Sequence, residues 1–167
     1  MKKLLLLLAS LLVSTISQGQ VTAPPPSPAK DCEFHISADD SFELFVNGRP
    51  TWKGDDYAHV LKSTIPLHGG DVIVITVVDK QGGPGGHFAG VILRGNNLLA
   101  TSKDFRYSVE PTPGFATSPN MQNWRSPSLD PLPLSFGLGP ERQPKKAWTQ
   151  KSDRKFGVVH FKFVVPN

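Results

Sequence analysis

Proline spacing limits this chain more than any other feature of its sequence. Between Glu110 and Arg142, prolines fall at 111, 113, 119, 127, 131, 133 and 140, and each one locks φ and removes a backbone donor that helix interiors and central strands need. Long regular elements are thereby excluded from that stretch. Glycine and proline together supply 31 of the 167 residues, too many for a helix bundle and too aperiodic for collagen. Short strands joined by turns remain, so the expected fold is all-β, an antiparallel β-sandwich.

The first segment reads as a processing signal. Lys2 and Lys3 precede an apolar run from Leu4 to Val13, and Ser17 and Gly19 occupy the small positions before a cut ahead of Gln20. The run is too short for a preferred membrane span, and no later stretch reaches about 18 consecutive apolar residues. The division expected is therefore a signal peptide over 1–19, a proline-rich spacer over 20–31 and a sandwich domain over 32–167, in a secreted, extracellular protein without a membrane anchor. Pro24, Pro25, Pro26 and Pro28 hold the spacer extended.

Charge narrows the partners. Without residues 1–19 the formal balance is 16 basic against 14 acidic residues, which supplies no concentrated field for nucleic acid. Cys32 is the single cysteine, so no intrachain disulfide can form. Two fates stay open for it: burial as a small hydrophobe, or an intermolecular bridge giving a disulfide-linked homodimer, with Cys32 at the mouth of the first strand.

Strand signals are clearest between Cys32 and Leu99. Phe42, Leu44 and Val46 alternate along a strand that runs into Asn47-Gly48, a pair able to enter positive φ at a hairpin turn. Tyr57 to Ile65 is a second candidate strand. Val72 to Val78 is almost continuously β-branched, as a strand covered on both sides would be. Phe88 to Leu93 follows a glycine-rich loop, and Lys145 to Gln150 and Gly157 to Val165 close the domain. Too few residues separate these strands for crossover helices, so most neighbours must be antiparallel. Between them, Phe105, Tyr107 and Val109 alternate for one short strand, and Thr101 to Arg142, which also holds Phe115, Trp124, Leu132 and Phe136 among its prolines, is expected to wrap the sandwich as a long loop.

Several of these segments, taken together, resemble a known family. Ala38-Asp39-Asp40-Ser41-Phe42-Glu43-Leu44-Phe45-Val46-Asn47-Gly48, then Gly70-Asp71-Val72-Ile73, then Thr76-Val77-Val78-Asp79 with Gly82-Gly83 and Ala89-Gly90-Val91-Ile92-Leu93, resemble galactose-binding-domain-like proteins. The resemblance covers roughly residues 33 to 95 and implies a jelly-roll β-sandwich, with carbohydrate binding and adhesion among the functions and ligands held by loops at one end. It also implies a late tryptophan, for which Trp148 stands, and a late cysteine, which this chain lacks.

The residues themselves offer candidate sites. Trp52 and Tyr57 follow the Asn47-Gly48 turn and Trp124 lies among the prolines; an aromatic on a loop can stack on a sugar while carboxylates such as Asp39 and Asp79 accept its hydroxyls. Asp39, Asp40 and Asp79 also have the chemistry of a calcium site, or equally of caps on turns and strand ends. Arg142, Lys145, Lys146, Lys151, Arg154 and Lys155 form a basic stretch suited to sulfated glycan or anionic matrix, or to a wet strand edge. No G-x-S-x-G, H-E-x-x-H or paired Cys-x-x-Cys occurs, and GGPGGH lacks the lysine and helix of a phosphate loop. The expectation is a non-enzymatic module that binds glycan or extracellular-matrix polymer, needing no cofactor unless calcium. Its rival is a structural component of a secreted coat or mineral-associated matrix with no small ligand.

Overall fold

A computed structural model describes residues 27–56, 58–81, 86–150, 153 and 157–167. Residues 1–19, the expected signal peptide, and most of the expected spacer therefore lie outside the described residues. The chain forms two packed antiparallel sheets. One contains β1 (Lys30–Ala38), β4 (Leu61–Leu67), β6 (Phe88–Arg94), β7 (Asn97–Thr101), β9 (Ser128–Pro133) and β10 (Lys145–Trp148), in the order β4-β1-β6-β10-β9, with β7 also paired to β6. The second contains β2 (Ser41–Val46), β3 (Arg49–Gly54), β5 (Val72–Val78), β8 (Arg106–Ser108) and β11 (Val158–Val164), in the order β3-β2-β5-β11-β8.

Prolines sort these strands. Those inside strands are Pro50 in β3, Pro66 in β4, and Pro131 and Pro133 in β9. Each of these strands is at the end of its sheet, where a missing N–H leaves no ladder bond unmade. The expectation for Thr101 to Arg142 is corrected on the same ground. The short strand expected over Phe105 to Val109 forms as β8, but the rest is not one loop: it holds the end of β7, two 3-10 turns and β9. The β-branched run, β5, lies between β2 and β11 as its hydrophobicity requires.

The core follows from strand alternation. Phe34 and Ile36 of β1 and Phe88 and Ile92 of β6 face Leu44, Ile75, Phe161 and Phe163 of the other sheet within one buried cluster. The Phe88 ring lies 5.2 Å from that of Phe105 and 4.6 Å from that of Phe161. Full burial of such side chains contributes about 1.5–3 kcal/mol each.

Cys32 belongs to this core, and the disulfide-linked homodimer is ruled out. The strand begins at Lys30, so Cys32 sits opposite Ile65 inside the ladder rather than at its mouth. It shares the inward face with Phe34 and Ile36 and is 0% exposed. Its Sγ–H donates to the Lys30 carbonyl at 3.5 Å. A thiol enclosed in this way acts as a small hydrophobe and has no path to a second chain.

The Asn47-Gly48 turn forms as its residue types require. Both residues adopt positive φ, 50° and 77°, the backbone of a two-residue hairpin turn whose twist suits the flanking strands. A Cβ on Gly48 would also meet Thr117 Cγ2 at 2.7 Å.

Candidate functional site

A surface depression follows β3, the end strand of the second sheet. Three hollows adjoin there. The first, about 490 Å³, is lined by Val46, Asn47, Arg49, Ile65, Pro66 and His68, together with Thr51 and Asp71. A second, about 310 Å³, shares Thr51 and adds Trp52, Pro50, Glu43 and Lys53. A third, about 490 Å³, shares Glu43 and Lys53 and continues past Gly54, Asp55 and Thr76. Through these shared residues the three adjoin in a trough along β3, the first opening beside Ile65 and Pro66 of the other sheet and the third on the outer face beside Thr76.

Local forces fix both ends of this trough. At the hairpin end, the Asn47 side chain spans two turns. Its Nδ2 donates to Asp71 Oδ1 at 2.8 Å, and its Oδ1 accepts from Val72 N at 2.9 Å. Asp71, only 9% exposed, accepts a further bond from His68 N at 2.7 Å, with His68 Nδ1 at 3.7 Å. A buried carboxylate needs such donors to remain charged. At the other end, Glu43, Thr76 and His160 sit opposite one another across β2, β5 and β11, and Thr76 Oγ1 lies 2.9 Å from His160 Nδ1. Burial lowers the His160 pKa, so near neutral pH its ring is uncharged and can share that bond with either partner as donor.

Trp52 lies midway. Half-buried, it packs against the core cluster and meets the Phe42 ring edge-on at 4.9 Å and 77°. Its remaining surface lines the trough.

Other candidates from the sequence fall elsewhere. Trp124 packs over the outer face of the same sheet, with Lys162 Nζ 4.8 Å from its ring centroid and the Phe115 ring 6.2 Å away. Asp39, Asp40 and Asp79 line none of the three hollows. Their oxygens accept backbone N–H groups: Asp39 from Asp40 at 3.1 Å, Asp40 from Lys80 at 2.6 Å and Asp79 from Gln81 at 3.0 Å. The first and last of these are local turn caps, and the Asp40 bond joins the β1–β2 turn to the segment after β5. Among the described residues, no group of three or more His, Cys, Asp or Glu converges to hold a metal ion. Of the basic stretch, Lys145 is exposed, Lys146 is half-buried, and Arg142 pairs with Glu141 at 3.3 Å and donates to the Asn96 carbonyl at 2.7 Å. Tyr57, Lys151, Arg154 and Lys155 lie outside the described residues.

Arg49, His68, Glu43 and Thr76 carry no motif that marks them in the sequence. Strand pairing alone assembles them, and the one local signal was that Asn47-Gly48 places Arg49 at the start of a returning strand.

Among the described residues, no helix is long and apolar enough to cross a membrane. Compared with protein-family models, curated proteins and solved structures, the chain matches none. The likeness to galactose-binding-domain-like proteins therefore extends to an all-β architecture of two packed antiparallel sheets.

Proposed function

We propose that the protein is a secreted, non-catalytic module that binds a carbohydrate or extracellular-matrix polymer along β3. The trough carries this reading: it is open, follows β3, and combines an aromatic surface at Trp52 with the polar groups of Glu43, Thr51, Lys53 and Asp55. Sugars are bound by that mixture, an apolar face against a ring and a few fixed polar groups against hydroxyls. Secretion is supported by the composition of residues 1–19. The jelly-roll form of the sandwich belongs to the same proposal, supported by pairing of sequence-distant strands, β1 with β6 and β2 with β5.

A glycan array read at low and high salt tests the function. Retention by particular sugars that survives high salt is the expected result, since stacking and neutral hydrogen bonds are weakly screened. Retention that follows only polymer charge and vanishes with salt would reject stacking on Trp52 as the source of binding.

A further inference from the structure

The two ends of the trough differ in charge. At the hairpin end the exposed Arg49 guanidinium has no ion-pair partner among the described residues. The nearest carboxylate in that lining, Asp71, is buried and already accepts from Asn47 Nδ2 and His68 N. Its charge is thus met by fixed donors, while the charge of Arg49 is met by none. Further along the same edge strand, past a register shift and on the outer face where it stands opposite Glu43, Lys53 is also exposed and has no ion-pair partner among the described residues. At Lys53 the lining is already mixed, with Glu43 directly opposite it and Asp55 further on.

We propose that the Arg49 end of the trough binds the anionic group, carboxylate or sulfate, of an acidic polysaccharide whose backbone runs along β3 past Trp52. This rests on the polymer-binding reading above and adds the charge class of the polymer. A guanidinium fork matches the paired oxygens of a carboxylate or a sulfate. The hollow beside Arg49 has an apolar floor in Val46, Ile65 and Pro66 to take the ring that bears the anion.

Titration calorimetry at low salt with three polysaccharides of matched backbone, one neutral, one carboxylated and one sulfated, tests this. The native chain is expected to bind an acidic form about tenfold more tightly than the neutral one, the value of one strong charge-assisted contact. In Arg49→Gln the acidic-to-neutral affinity ratio should fall towards one, with the melting temperature confirming the fold. A Lys145→Gln/Lys146→Gln double variant should keep the native ratio. Comparing the carboxylated and sulfated arms identifies the source of the anion. A ratio that survives in Arg49→Gln, or that disappears in the double variant, overturns the assignment. Neutral and acidic forms bound equally by the native chain would sink the charge class and leave polymer binding standing. Failure of all three to bind removes both.

Discussion

The second sheet has two halves that use the same kinds of side chain for opposite ends. A single row of outward residues runs from Lys53 on β3 through Glu43 and Thr76 to His160 on β11. At the β11 half that row is roofed. The Phe115 ring meets the His160 ring edge-on at 5.0 Å, and in the adjoining row Trp124 lies over Lys162, whose Nζ donates to the Asn120 carbonyl at 2.8 Å. At the far edge, Tyr107 donates to Asp153 Oδ2 at 2.8 Å, and Arg125 reaches the same oxygen at 2.6 Å while stacking over the Tyr107 ring. At the β3 half Arg49 and Lys53 are exposed, with no ion-pair partner among the described residues, and half-buried Trp52 lines the trough. An aromatic beside a lysine is thus no site in itself: around Trp124 the protein supplies the partner, and around Trp52 it leaves one out.

Removing each roof contact should sharpen this contrast. Trp124→Ala takes away both the cover and the aromatic face beneath which Lys162 is held, at an expected cost of about 2 kcal/mol for a half-buried tryptophan, read by urea unfolding. Polymer binding should not change. Lys162→Met should act in the opposite direction. Lys162 is 0% exposed, no carboxylate is paired with it among the described residues, and burial lowers its pKa. Replacing a desolvated charge by an apolar side chain of similar volume is expected to add about 1 kcal/mol of stability. A loss in place of that gain would mean that the contacts to Trp124 and Asn120 outweigh desolvation.

The smallest effect is the dependence on pH. Burial lowers the pKa of His160, and burial followed by the nearby Lys146 lowers that of His87. The folded state therefore takes up these protons less readily than the unfolded chain, whose histidines titrate near 6.5. Stability from this source is complete above that value and is lost as pH falls through the lowered folded-state pKa values. Unfolding curves between pH 7.5 and 5 should show the decline, and His160→Gln should flatten it. An unchanged slope in that variant would place the acid sensitivity outside the roofed half.

How much of this was readable in the sequence depends on the range of the forces involved. Asn47-Gly48 is a local steric matter and was legible, as was the central position of Val72–Val78. Cys32 was not, because its burial depends on the strand starting two residues earlier and pairing with β4. β9 was hidden by Pro131 and Pro133, which exclude a central strand but are tolerated at a sheet edge. β3 was hidden by Pro50 and by the lack of apolar alternation in Arg49–Gly54. Trp52 was found by residue type alone. The rest of the trough was not, since Arg49, His68 and Thr76 meet only through the pairing of sequence-distant strands.

The contrast between the two tryptophans can be measured directly. The chain has three tryptophans, each giving one indole N–H resonance in a nitrogen-15 correlation spectrum, and the three can be assigned by single Trp→Phe replacements. During titration with a polysaccharide retained on the glycan array, the Trp52 resonance should shift progressively and saturate, while those of Trp124, under its roof, and Trp148, 6% exposed in the core, stay in place. Saturating binding that moves the Trp124 resonance and leaves Trp52 unchanged would contradict the account.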